Sequence, residues 1–141
     1  MADNQTRQLV VIGAGPGGYA AAFHAADLGL NVTLIDREPN PGGVCLYRGC
    51  IPTKALLHAA KLLIDAKNAD ALGIAFGEPK IDLDKLRGWK DDVVKRLTQG
   101  LGYLSKKRKI DYIQGTARFL DAHTVEVRRK DNETEKITFE H

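Results

Sequence analysis

The sequence predicts an α/β fold, a parallel sheet with helices, followed by a small antiparallel β-meander. Three observations predict it. An apolar run at residues 9–12 passes through a glycine-rich turn and an alanine-rich helical stretch to a β-branched run at 31–35. Two long segments, about 44–69 and 83–106, then repeat apolar residues at helical spacing. Beyond residue 111 the pattern changes to short β-type runs separated by polar turns.

Each element has its own reason. Leu9-Val10-Val11-Ile12 is continuously apolar, as a strand buried on both faces of a parallel sheet must be. Residues 19–28 are helical and rich in alanine, with Gly29 as the stop. The run at 31–35 completes a strand-turn-helix-strand unit. Leu56, Leu57, Ala60, Leu63 and Ile64 mark one helix over about 44–69, with Pro52 expected to distort its beginning. Asp82 is placed to cap a second long helix, 83 to about 106, through Leu86, Trp89, Val93, Val94, Leu97, Leu101 and Leu104. Gly100 and Gly102 are expected to weaken its last turns. A third strand is predicted at 111–114, and meander strands at 117–120, 124–128 and 136–139.

Composition narrows the function. The 141 residues suit one domain of ordinary size, and 43% apolar with 28% charged residues is a soluble globular balance. No apolar run approaches the roughly 20 residues of a membrane span. A net charge of +3 is too mild to argue for a nucleic-acid partner. The basic run at 106–109 reads as a solvated helix end, where cations complement the dipole. Residues 1–8 are polar and pass straight into a strand without a visible targeting segment, so a cytoplasmic location is expected.

Gly13, Gly15 and Gly18 form G-x-G-x-x-G between a predicted strand and a predicted helix, the context that gives this motif meaning. Gly13 permits the tight turn, Gly15 lets a pyrophosphate approach the backbone, and Gly18 lets helix and strand pack closely. The helix N-terminus, opened by Pro16, then faces the phosphates. Asp36, ending the second strand, is placed to accept hydrogen bonds from an adenosine ribose. The turn alone does not separate FAD from NAD, and a glycine turn needed only for packing is the bland alternative.

Both cysteines, Cys45 and Cys50, fall within residues 42–54, five positions apart. No further cysteine completes a metal finger, and the four histidines are scattered. A staple closing so short a loop gives little stabilisation. A close pair in a reducing compartment therefore reads as redox-active, against two incidental thiols.

Residues 42–54 match G-G-x-C-x-x-x-G-C-I-P-[ST]-K, and so resemble the redox-disulfide signature of the flavoprotein disulfide reductases. Gly-Val-Cys-Leu followed by Thr-Lys-Ala-Leu-Leu-His is most similar to the dihydrolipoamide dehydrogenase branch. The resemblance implies a Rossmann-like FAD-binding domain, with FAD against Gly13, Gly15, Pro16, Gly18, Asp36, Arg37, Gly42, Gly43 and Val44. It implies that Cys45 is the thiol exchanging with substrate, Cys50 the flavin-facing thiol, and Lys54 a cation beside the flavin. Gly115-Thr116-Ala117-Arg118-Phe119 resembles the family's G-x-G/A-x-F segment, which implies backbone contact with adenine at Gly115 and Ala117. Asp36 stands where many members carry glutamate, one methylene longer. Tyr47 and Arg48 are expected to cover surface. His24, His58 and His123 are expected in core, helix-surface and turn positions.

The implied activity is oxidation of dihydrolipoamide to lipoamide through the disulfide and FAD, with NAD⁺ as acceptor. Implied partners are the lipoyl groups of 2-oxo acid dehydrogenase complexes and a second copy in a homodimer. The family's NAD and dimerisation domains are not represented in residues 1–141, so the chain is expected to be the N-terminal part of the FAD-binding domain and inactive alone. A sister reductase of the glutathione or mercuric type, and a non-enzymatic nucleotide-binding redox module, are the alternatives.

Overall fold

The computed structural model describes residues 7–141, so the expectation for the N-terminus lies, for residues 1–6, outside the described residues. Five strands form one sheet in the order β1-β2-β3-β4-β5: β1 Leu9–Ile12, β2 Val32–Asp36, β3 Asp111–Asp121, β4 Thr124–Arg129 and β5 Thr134–Thr138. The first two pairings are parallel and the last two antiparallel, as the predicted parallel sheet plus meander requires. The helices are α1 Pro16–Asp27, α2 Gly43–Arg48, α3 Cys50–Asn68 and α4 Leu83–Lys107, with a 3₁₀ turn at Ala69–Leu72.

β2, the central strand of the parallel part, is buried on both faces from Val32 to Ile35, although Thr33 interrupts its apolar run. Val32 and Leu34 join Ala14, Ala22, Ala25 and Ile110 under α1. Ile35 points the other way, into Ile113, Val125, Val127 and Ile137 beneath the meander. Each fully buried aliphatic side chain of this kind contributes roughly 2 kcal/mol of hydrophobic stabilisation. Chain segment 138–141 also returns alongside β1: the Val10 amide donates to the His141 carbonyl at 3.0 Å and the His141 amide to the Gln8 carbonyl at 3.1 Å.

Several expectations change. The third strand does not stop at residue 114 but runs on to Asp121, pairing first with β2 and then with β4. Gly115 marks where the second partner arrives: a Cβ there would lie 2.7 Å from the Arg128 carbonyl oxygen. The helix expected over 44–69 is two helices, broken at Gly49, whose φ of −120° and ψ of −103° are not helical. Pro52 does not distort α3, because it occupies the first turn, where its missing N–H has no intrahelical partner to lose. Gly102 is buried rather than weakening, since Asn40 packs onto its bare backbone. His24 is exposed, not core, because α1 buries the face carrying Ala22 and Ala25. Arg108, in the basic run, pairs with Asp27 at 2.9 Å and lies over the Phe23 ring, tying α4 to α1. The Asp82 cap forms as predicted, accepting from the Lys85 amide at 3.0 Å. Among the described residues no helix is long and apolar enough to cross a membrane.

Candidate nucleotide and redox-disulfide site

The turn between β1 and α1 is shaped by its glycines. Gly13 adopts φ +95°, and a Cβ on Gly18 would lie 1.8 Å from the Gly13 carbonyl oxygen, so neither position accommodates an ordinary side chain. Gly15, by contrast, faces open space: among the described residues nothing lies within 4 Å of a Cβ built on it. It is the N-cap of α1, carries no side-chain cap, and is followed by Pro16; the first helical turn has no acidic residue. Free N–H groups and the positive dipole end are therefore left facing that space, which suits a phosphate group.

Asp36 ends β2 as predicted, and its carboxylate has a structural task. Oδ2 accepts from the Ala14 amide at 2.6 Å and Oδ1 from the Glu38 amide at 2.9 Å, so the acid locks the glycine turn to the strand end. Each oxygen keeps further acceptor capacity for a ribose hydroxyl. Gly13, Asp36, Arg37, Gly115 and Ala117 meet in one cleft of about 180 Å³, together with Thr116, which sequence reasoning passed over. Only its place between two predicted contacts marked it. The cleft also continues into a wider basic mouth beside Arg37, Arg128 and Lys130.

Cys45 and Cys50 form a disulfide, with Cα atoms 4.8 Å apart, within the range such bridges require. Cys45 is half-buried on the six-residue α2, whereas Cys50 is exposed as the first residue of the nineteen-residue α3. The first turn of α3 carries no acidic residue. Lys54 stands one helical turn beyond Cys50 on the same side, exposed, and makes no ion pair among the described residues. Gly43 presses on the phosphate turn: with φ +58°, its Cβ would lie 2.5 Å from the Gly15 Cα. The Gly42 amide donates to the Ala14 carbonyl at 2.8 Å. Val44 is exposed at the start of the same helix. The glycine turn and the start of α2 are thus packed together.

Tyr47 and Arg48 do more than cover surface. The Tyr47 hydroxyl donates to the Asn40 carbonyl at 3.1 Å, and Arg48 pairs with Glu38. Tyr112 donates to the Glu38 carbonyl at 2.8 Å; burial first, then the nearby Asp36, Tyr47 and Glu38, push its phenol well above the ordinary range and keep it a donor. An apolar groove of about 580 Å³ is lined by Tyr19, by Leu46 and Ile51, the residues that follow the two cysteines, and by Leu97 and Leu101. His58, on the surface of α3 as expected, lies 6.3 Å from Trp89 between ring centroids. His123 sits in the β3–β4 turn, its amide bonded to Asp121 at 2.8 Å. Among the described residues no cluster of three or more His, Cys, Asp or Glu could hold a metal ion.

Residues 7–141 match the family model described as pyridine nucleotide-disulphide oxidoreductase. The chain is similar to a dihydrolipoyl dehydrogenase of Haemophilus influenzae, at 49% identity over 94% of this chain and 28% of the relative. It is similar to one of Vibrio cholerae at 50% identity, again over 94% and 28%, and to one of Haloferax volcanii at 44%, over 95% and 28%. It therefore spans a little over a quarter of the length of these curated relatives. A match running from the first described residue to the last, over the glycine turn and the cysteine pair alike, leaves one placement: the chain belongs to the pyridine nucleotide-disulphide oxidoreductase family.

Proposed function

We propose that this chain is the adenosine-binding and disulfide-bearing part of a dihydrolipoyl dehydrogenase that uses FAD, the whole protein oxidising dihydrolipoamide to lipoamide with NAD⁺ as acceptor. The observation that carries the reading is the contact of Gly43 with Gly15, which makes the phosphate turn and the cysteine pair a single rigid seat. A flavin dinucleotide has to be served at both places at once. The uncapped α1 terminus and the open space over Gly15 fit its pyrophosphate, and the cleft at Asp36 fits its adenosine. FAD, when bound, would supply a two-electron acceptor between the dithiol and NAD⁺.

Within this reading, Gly13, Gly15, Pro16 and Gly18 hold phosphate, Asp36 and Arg37 hold ribose, and Gly115 and Ala117 border adenine. Gly42, Gly43 and Val44 bring α2 against the cofactor. Cys45 exchanges with the substrate dithiol, Cys50 holds the thiolate on the flavin side, and Lys54 supplies a fixed cation there. The groove at Tyr19, Leu46, Ile51 and Leu97, bordered by the residues that follow each cysteine, offers an apolar surface that suits the hydrocarbon arm of a lipoyl group on a 2-oxo acid dehydrogenase complex. We further propose that residues 1–141 are the N-terminal part of the FAD-binding domain, that NAD and dimerisation domains complete a cytoplasmic homodimer, and that this stretch alone does not turn over.

FAD titration followed by flavin absorbance and calorimetry tests the placement. The 141-residue chain should bind FAD weakly, and Gly15→Val should abolish that binding by filling the open space. Equal binding by Gly15→Val moves the phosphates elsewhere. Brisk NAD⁺-linked oxidation of dihydrolipoamide by the chain alone overturns the division of labour.

A further inference from the structure

The two cysteines are held unequally. Cys50 belongs to a nineteen-residue helix, but Cys45 rides on six residues, far too few to be helical unaided. At its start α2 is held by Gly42 and Gly43 against the turn at Ala14 and Gly15, and Leu46 is buried; its far end is held by Tyr47 and Arg48, two of the four residues between the cysteines. Tyr47 donates to the Asn40 carbonyl at 3.1 Å, and Arg48 pairs with Glu38 while its guanidinium lies 6.0 Å from the Tyr47 ring centroid. The turn they grip is itself fixed to the sheet. Asp36 accepts from the Glu38 amide at 2.9 Å, Tyr112 donates to the Glu38 carbonyl at 2.8 Å, and Gln114 donates to the Arg37 carbonyl at 3.0 Å. A continuous line of bonds thus runs from β2 and β3 to the segment that must stay in place when the disulfide opens.

We propose that Tyr47 and Arg48 are positioning residues of the redox pair: by fastening α2 to the turn at 38–40 they set how strongly Cys45 and Cys50 close on each other. This rests on the reading above that the pair cycles. The coupling has a definite sign. A closed disulfide fixes α2 and lowers the entropy lost on making the Tyr47 and Arg48 contacts, so contacts and disulfide strengthen each other. By reciprocity, removing the contacts must favour the dithiol. Contacts that serve only the fold stabilise both redox states alike and leave this equilibrium unmoved.

The test is thiol–disulfide equilibrium of the 141-residue chain, without flavin, in mixtures of reduced and oxidised dithiothreitol. Reduced dithiothreitol gives up two electrons and two protons and closes to its cyclic disulfide; the Cys45–Cys50 bond takes them up and becomes two thiols. Acid quenching, alkylation and mass spectrometry read the ratio. Arg48→Ala and Tyr47→Phe should each shift it roughly two- to five-fold toward the dithiol, the scale of one exposed ion pair or one hydrogen bond. The double variant should shift it about ten-fold if the two contacts add. The Arg48→Ala effect should shrink in high salt, whereas the Tyr47→Phe effect should not. Glu38→Gln should reproduce Arg48→Ala, and Arg48→Lys should restore part of the ratio. Wild-type ratios from both single variants overturn the inference while leaving the proposed function standing. A wild-type pair that never closes under oxidised dithiothreitol overturns the proposed function and this inference with it.

Discussion

The sheet and the helical arm of this molecule treat apolar residues in opposite ways. In β2 and β4, Val32, Leu34, Ile35, Val125 and Val127 are all within 2% of complete burial. Along α3 and into α4, Leu57, Leu62, Ile64, Leu72, Phe76 and Leu83 remain more than half exposed. The sheet end carries the cleft at Asp36 and the arm carries Cys50 and Lys54. The cleft end is therefore held by its own packing. The cysteine end is held by the disulfide, the Gly43 contact and the contacts of Tyr47 and Arg48.

The sharpest way to break that comparison is to truncate one leucine from each region. Leu34→Ala should cost about 3 kcal/mol, since it empties a site sealed on both faces. Leu57→Ala, at a residue 62% exposed, should change stability by less than about 0.5 kcal/mol. Denaturant midpoints of the two variants measure the contrast directly, and comparable losses would show that the arm carries its own core.

Gly18→Ala should come next, at about 2 kcal/mol, because the new Cβ meets the backbone carbonyl of Gly13 rather than a movable side chain. It should weaken FAD binding as well, by displacing the turn that Asp36 locks. Loss of stability with unchanged flavin affinity would separate the packing task of this turn from its ligand task.

The arm makes a chemical prediction. In the reduced, flavin-free chain Cys50 should alkylate faster than Cys45, being the exposed thiol at a helix N-terminus. Saturating FAD should reverse the order by covering Cys50 and leaving Cys45 open. Differential alkylation read by mass spectrometry checks both halves, and an order insensitive to FAD would place the flavin away from this helix.

A smaller gain than either loss at Leu34 or Gly18 lies in the sheet. The Thr33 hydroxyl is buried without a hydrogen-bond partner among the described residues. Thr33→Val keeps the shape and removes the unpaired group, so it should raise stability by about 1 kcal/mol. A loss instead would reveal a partner for that hydroxyl.

How much of this was legible beforehand follows from the range of each signal. The strand–turn–helix–strand unit, the Asp82 cap and the cysteine signature are local patterns, and each appears where its residues predict. The continuation of β3 through Gly115 was not readable, because that glycine answers to the Arg128 carbonyl on another strand. The helix break at Gly49 had a visible glycine, but its room is taken by the Val44 carbonyl 3.1 Å from where a Cβ would stand. Exposure of His24 was lost in a helix whose many alanines blur the apolar face.

By itself, the sequence determined the class of fold, the glycine turn between β1 and α1 and the closeness of the two cysteines, since these depend on residue type at short spacing. Only the tertiary structure decided that Asp36 spends its carboxylate holding two amides, and that residues 138–141 lie beside β1. It also decided that Gly43 sits on Gly15 and that Tyr47 and Arg48 fasten α2 to the sheet. The physical reason is common to all four. A local motif fixes which groups are available, but a hydrogen bond or a close approach between segments is set by packing that no spacing along one segment encodes.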